Sequence, residues 1–386
     1  MSGRGLLLIT TSYPQMADGS EAAGAFVADF AEAAARHVPV RVVAPGNMEC
    51  REAGPGGIEV FRFAAPGKPL SLLSPARPTD YPAILRTLVS LRRQTLRAGS
   101  DGAVGHTLAL WVLPSGWAAR VLSRARGVPY SVWALGSDIW SLGRLPGVRG
   151  LLRNVIRNAS FRFADGLQLG EDAARIAGRG FGFLPSSRRL DRLRTRPLAE
   201  EGPYRLLFLG RWHPNKGIDL LLDALAQLEE SDWGRIREVH VAGGGPLEAE
   251  VRAGVRALVS AGRPVRLDGF LDKAAASAAL EAADFLLLPS RIESIPVVFS
   301  DALAMRLPVV AMPVGDLPGL LQGADLGEIA GEVTATAFAR ALSRAISKAP
   351  VHRAGHLAVA AARFDVGEAA RAFLDAAGLL PTEPEP

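Results

Sequence analysis

The stretch PSRIESIPVVFSDAL (289–303) holds two acids, Glu293 and Asp301, with seven residues between them, and it starts like a loop and ends like a helix. At about 1.5 Å per helical residue, the second acid lies roughly 10 Å beyond the first. That span is long for two carboxylates on one metal ion. It suits one extended ligand held at two points, for example by two sets of sugar hydroxyls. Ser294 reads as a helix N-cap with Pro296 in the first turn. The backbone of Ser294, Ile295, Pro296 and Val297 would then bring helix N-terminal donors to the first acid. The plainer reading is a capping acid followed by an unrelated Asp on a helix surface.

Two cations stand upstream. YRLLFLGRWHPNKGIDLLLDAL (204–225) reads as a buried strand ending at Gly210, a tight polar loop and an amphipathic helix. Arg211 and Lys216 therefore lie beyond the carboxyl end of a strand, where open α/β sheets bind ligands. A guanidinium fork and a compact ammonium suit a diphosphate, each charge-assisted contact being worth about 1.5–3 kcal/mol. The chain has only four lysines, so Lys216 is an uncommon choice here; the plainer reading is a solvated loop. VHVAGGGPLEAEV (239–251) is another strand, glycine turn and helix start. Gly244 at its centre permits close approach of a ligand, but the spacing is not that of a dinucleotide fingerprint, and a purely structural turn explains it as well. No Asp-x-Asp occurs in the chain, which disfavours a metal-bridged site.

These residues need a scaffold that brings strand ends together. Short apolar runs alternate with helical stretches throughout, from GLLLIT, VPVRVVA, IEVFRF and PYSVWA to YRLLFLG, EVHVAGG, PVRLDGF, DFLLLPS and LPVVAM. The alternation predicts α/β architecture with parallel sheets and crossover helices. At 386 residues and 48% hydrophobic content the chain reads as two domains, over 1–190 and 200–355, with a polar, basic linker in 183–203. The tail PTEPEP is expected to be disordered. One cysteine, Cys50, excludes an internal disulfide and points to a reducing compartment. No apolar run approaches the length of a membrane span. Residues 1–200 hold 26 Lys+Arg against 15 Asp+Glu, and the excess concentrates in 86–97 and 148–163. Such surfaces suit anionic lipid or a phosphorylated acceptor; the plainer reading is the solvated face of amphipathic helices. Nucleic acid is not expected as a partner, since aromatics make up only 6% and no basic stretch is interleaved with stacking residues.

In that order and spacing, GRWHPNKG, GGGPL, PSRIESIPVVFSDALAMRLPVVA and VGDLP resemble the C-terminal half of the family 4 glycosyltransferases. TTSYPQMADGSEAAGAFVADFAEAAARHVPVRVVAP and LWVLPSGWAARVLSRARGVPYSVWALGSDI look like that family's first segment and middle segment, and FDVGEAARAFLDAAGLL like its closing helix, which returns over 364–380 to the first domain. The resemblance implies the GT-B fold, two Rossmann-like domains with parallel sheets facing a central cleft. It implies a retaining, metal-independent hexosyl- or deoxyhexosyltransferase that takes a UDP-, GDP- or ADP-sugar as substrate and needs no cofactor. Arg211 and Lys216 would meet the donor diphosphate, Glu293 and the backbone after it the donor sugar, and Asp301 the ribose hydroxyls. The loop around Gly24 would close over the phosphates, and Gly210 and Gly244 would lie along the donor.

The resemblance further implies a glycan or lipid-linked acceptor on the basic first domain, cell-surface polysaccharide, lipopolysaccharide or glycolipid as product, and a cytoplasmic location, peripheral at the inner face of the membrane. Departures from the family pattern matter. Asp301 stands where Glu is usual, Arg306 where glycine is usual, and PSSRR (185–189) replaces an N-G turn. Leu135 and Leu110 replace histidines. Leu135, next to Gly136, Ser137 and Asp138, fits a donor lacking a primary hydroxyl, or a site where His106 substitutes, or a protein that binds without transfer. A nucleotide-sugar 2-epimerase and a noncatalytic nucleotide-sugar-binding partner are the rival functions.

Overall fold

The structure is a computed structural model and describes residues 4–15, 21–65, 73, 77–190 and 192–380. The tail expected to be disordered lies outside the described residues. The chain forms two compact units, one from residues 1–186 with 366–386 and one from 187–365.

In the first unit the strands are β1 (Gly5–Ile9), β2 (Val40–Gly46), β3 (Cys50–Ala53), β4 (Glu59–Ala64), β5 (Val104–Leu110), β6 (Tyr130–Ala134), β7 (Arg162–Ala164) and β8 (Gly182–Phe183). They form one sheet in the order β3-β4-β2-β1-β5-β6-β7-β8, with β3 antiparallel to β4. Every residue of β1 and of β6 is buried, as expected of parallel strands covered on both faces. β3 reads CREA, is exposed throughout, and blunts the sheet edge with charge. The helix Val366–Ala376 returns to this unit and buries Phe373, whose ring stands 6.2 Å from Phe30 and 5.8 Å from Phe163.

In the second unit β9 (Tyr204–Arg211), β10 (Ile236–Gly244), β11 (Val265–Asp268), β12 (Phe285–Leu288), β13 (Val309–Ala311) and β14 (Gly327–Ile329) pair in the order β11-β10-β9-β12-β13-β14. All these pairs are parallel. Strand order reverses between β9 and β12 here, and between β1 and β5 in the first sheet. Those reversals are the switch points at which such sheets leave a crevice beyond the strand ends. Residues 192–203 adhere to the second unit: Arg194 donates to the Ala283 carbonyl at 2.7 Å and Arg196 to Asp284 at 2.8 Å.

The two basic stretches separate. In the helix Pro146–Asn158 the side chains of Leu152, Val155 and Ile156 are buried. Arg153 and Arg157 donate to the carbonyls of Ile176 and Ala177 at 2.9 and 2.8 Å, at the C-terminus of the helix Leu167–Ala177. That is where cations are favoured by unpaired carbonyls and the helix dipole, so for these two arginines the plainer reading holds. The helix Tyr81–Ala98 differs: Tyr81, Leu85 and Val89 are about half exposed beside exposed Arg86, Arg92, Arg93 and Arg97.

Candidate functional site

The switch point of the second sheet gathers the charged residues singled out above. Arg211 ends β9 and is exposed. The chain then makes a short turn over Pro214–Lys216 and enters the helix Ile218–Ala226. Lys216 Nζ forms an ion pair with Glu293 Oε1, from the loop that follows β12, and Ser290 Oγ donates to the same oxygen at 3.3 Å. Arg291 ties the two loops. Its guanidinium donates to the Pro214 carbonyl at 2.7 Å and to both Asp219 oxygens at 2.7 and 2.6 Å, and its backbone N–H to the Asn215 carbonyl at 2.8 Å. The hydrogen bond from Arg291 holds the Asp219 carboxyl below its usual pKa. His213 Nδ1 accepts the Asn215 N–H, and partial burial, with Arg211 and Lys216 nearby, lowers the imidazole pKa. Sequence reasoning passed over His213, Ser290 and Arg291, although "PSRIES" and "RWHPNK" contain them.

Glycines let these loops touch. Gly217 has φ 66°, and a Cβ there would overlap the Pro289 carbonyl, so the loops after β9 and β12 meet only because position 217 has no side chain. At Gly315 (φ 54°) a Cβ would overlap the Glu293 and Ser294 carbonyls, which seats the "VGDLP" turn under the first acid. The "GGGP" turn is accounted for by protein packing. A Cβ on Gly244 would lie 2.5 Å from the Phe270 ring, and one on Gly245 2.6 Å from the Trp212 carbonyl oxygen. Gly210 meets only the Phe208 ring, at 3.6 Å, so sterics there do not demand glycine.

The helix after Glu293 begins later than expected. It spans Val297–Ala304 with Pro296, rather than Ser294, as N-cap. Proline sits there with extended backbone, and the first N–H groups after it are left without intrahelical partners. Ile295 and Pro296 are buried, and Ser294 Oγ is a buried hydroxyl without a hydrogen-bond partner. Asp301 is completely buried, not an open carboxylate. Arg188 takes both of its oxygens, Nε donating to Oδ1 at 3.2 Å and Nη2 pairing with Oδ2.

In the first unit the expected roles are revised. Gly24 lies inside the helix Glu21–Ala35 rather than in a loop, and a Cβ there would stand 2.6 Å from the Tyr13 Cα, so its glycine serves close backbone packing. His106 does not stand in for the missing histidines. It is 2% exposed on β5, its Nε2 is 2.8 Å from Ser131 Oγ, and its ring is 5.9 Å from that of Phe373. Burial brings its pKa down to about 4, so it is neutral at pH 7. Leu135 is half-buried, Gly136 turns the chain at φ 108°, and Ser137 is exposed. Asp138 is buried and accepts the N–H groups of Val112 at 2.6 Å and Leu135 at 3.3 Å, bracketing the loops after β5 and β6. Burial pushes its pKa up to about 6.

Among the described residues no group of three or more His, Cys, Asp or Glu side chains is placed to hold a metal ion, and no helix is long and apolar enough to cross a membrane. Residues 203–348 match the family model described as glycosyl transferases group 1. The putative teichuronic acid biosynthesis glycosyltransferase TuaC of Bacillus subtilis (strain 168) is 30% identical over 227 residues, 55% of this chain and 54% of that protein. A D-inositol 3-phosphate glycosyltransferase of Jonesia denitrificans is 36% identical over 124 residues, 31% and 29% of the two chains. The chain thus spans about half the length or less of these curated relatives. The solved structure of Anabaena HepE in complex with UDP-glucose superimposes with a TM-score of 0.69 at 17% identity, covering 98% of this chain and 100% of that one. The fold is that of the GT-B enzymes, with a Rossmann-like parallel sheet in each unit.

Proposed function

We propose, on the match of residues 203–348 to the glycosyl transferases group 1 model and the 30% identity to TuaC over 227 residues, that the chain moves a glycosyl group from a nucleotide-diphosphate sugar to an acceptor hydroxyl with retention of anomeric configuration. The observation that carries this reading is the Lys216–Glu293 pair, set across the switch point of the second sheet and braced by Arg291. A diphosphate entering beside β9 draws Lys216 and Arg211 onto its oxygens, where they stabilise the charge that develops as the sugar bond breaks. Glu293, released from Lys216, accepts from the donor sugar's hydroxyls, and the N–H groups opening the helix Val297–Ala304 add donors. No side chain need act as nucleophile: a phosphate oxygen of the leaving group takes the acceptor's proton.

The likeness to a protein named for teichuronic acid biosynthesis supports a cell-surface glycan or lipid-linked acceptor. The structure solved with UDP-glucose makes UDP the first nucleotide to try. The helix Tyr81–Ala98 supports peripheral contact with the anionic inner face of a membrane, through half-exposed apolar residues flanked by arginines.

The test is thermal stabilisation by UDP, GDP and ADP, with Lys216→Gln as control. At a concentration 100 times Kd a bound nucleotide adds about 2.7 kcal/mol to stability. A shift confined to one base and lost in the variant is expected. No shift with any nucleotide overturns the reading.

A further inference from the structure

Both acids of the candidate site are occupied by the protein's own cations. Lys216 holds Glu293, and Arg188 holds Asp301 through both carboxylate oxygens. The second pair is layered. Asp301 is wholly buried, whereas the Arg188 side chain keeps 19% of its exposure, so a ligand approaching Asp301 meets the guanidinium first. The two partners also differ in how firmly they are held. Asp301 sits on the helix Val297–Ala304, anchored by the buried Phe299, Ala302 and Leu303. Arg188 opens the stretch 188–190, which belongs to no helix or strand and, unlike the buried residues 184–187 before it, is not buried. Backbone without a ladder or helix to hold it yields at less cost than a packed helix. If one partner moves, it is the arginine.

We propose that Arg188 is a specificity-determining residue of the donor site, competing with the nucleotide's ribose hydroxyls for the Asp301 carboxylate. This rests on the donor-site reading above. Ribose hydroxyls and the guanidinium both donate hydrogen bonds to the same two oxygens, so one displaces the other. The ribose therefore adds little to affinity in the native protein, because each hydrogen bond it makes to Asp301 replaces one from Arg188. Removing the arginine removes that competition, and the ribose then contributes more.

The experiment is calorimetric titration of the native protein, Arg188→Ala and Arg188→Lys with UDP, GDP and ADP and with their 2′,3′-dideoxy counterparts. In the native protein the dideoxy nucleotide should bind within about threefold of the ribonucleotide. In Arg188→Ala that ratio should widen about tenfold, the worth of one hydrogen bond to a charged group. Arg188→Lys keeps the charge but loses the fork, so its ratio should widen by less; it serves as the folded substitute if the alanine variant does not fold. A ratio unchanged in both variants overturns the proposal, since Arg188 would then be only structural. A ratio that narrows also overturns it, since Arg188 would then position Asp301 for the ribose. Absence of binding by any nucleotide to the native protein and the variants defeats the donor-site reading together with this one; binding with an unmoved ratio defeats this one alone.

Discussion

Replacing His106 by glutamine should remove an acid sensitivity that the native protein conceals. In the fold His106 is 2% exposed and burial brings its pKa to about 4, against 6.5 for an unperturbed imidazole. As pH falls, the unfolded chain takes up the proton first, so the stability due to this residue is lost between pH 6.5 and 4. Integrated from pH 7.5 to 5.0, the loss is about 2 kcal/mol. Asp138 acts in the opposite sense. Its carboxyl is raised to about 6 from 3.8, so the folded state binds the proton first and gains stability over the same interval, by about 1.4 kcal/mol. The native protein should therefore lose only roughly 0.6 kcal/mol from the two together. The assay is chemical denaturation at pH 7.5 and 5.0, followed by tryptophan fluorescence, four of the six tryptophans lying in the first unit. Between those pH values His106→Gln should gain about 2 kcal/mol relative to the native protein and Asp138→Asn should lose about 1.4 kcal/mol. A native-to-variant difference for His106→Gln that does not change with pH would refute the argument, because the imidazole would then not be held neutral by burial.

Three further outcomes are expected. Gly217→Ala forces a Cβ into the Pro289 carbonyl at φ 66°; a loss of at least about 2 kcal/mol in stability, with weaker nucleotide binding, should appear in denaturation and titration, and a neutral change would show that the two loops need not touch. Arg306→Gly should stabilise the protein by about 1 kcal/mol in denaturation, because Arg306 holds φ 56° at the end of the helix Val297–Ala304. The protein should sediment with phosphatidylglycerol vesicles in preference to phosphatidylcholine at low salt, each of Arg86 and Arg92 being worth about 1 kcal/mol, and Leu85→Glu should abolish the binding; equal sedimentation with both lipids would remove the role given to the helix Tyr81–Ala98.

The sequence made the second unit legible because β12 and β13 are continuous apolar runs next to a proline, and β9 and β10 carry apolar stretches that run into glycine, a strong pattern for a buried parallel strand. β5 escaped notice because Gly105, His106 and Thr107 interrupt its apolar run, although all three are part of it. β7, β8 and β14 are two or three residues long, too short for any periodicity. The site divides in the same way. Arg211, Lys216, Glu293 and the glycines beside them stand where strand ends and turn chemistry placed them. Arg188 could not be found so, because its partner is 113 positions away and the pairing depends on tertiary structure alone. Yet both halves of that contact were visible as oddities, a shortened acid at Asp301 and the arginines of PSSRR. His106 misled for the opposite reason: a histidine in a sequence carries no mark of burial.

The return of the chain to the first unit has a consequence for its biosynthesis. Residues 187–365 are contiguous and emerge from the ribosome as one block, whereas the first unit lacks Phe373, which packs beside Phe30, His106 and Phe163, until residue 373 has been synthesised. The unit translated first is thus completed last. Until then the nascent first sheet carries an uncovered aromatic face through the synthesis of an entire second unit, the interval in which it most depends on chaperones or on slow, local structure to stay unaggregated.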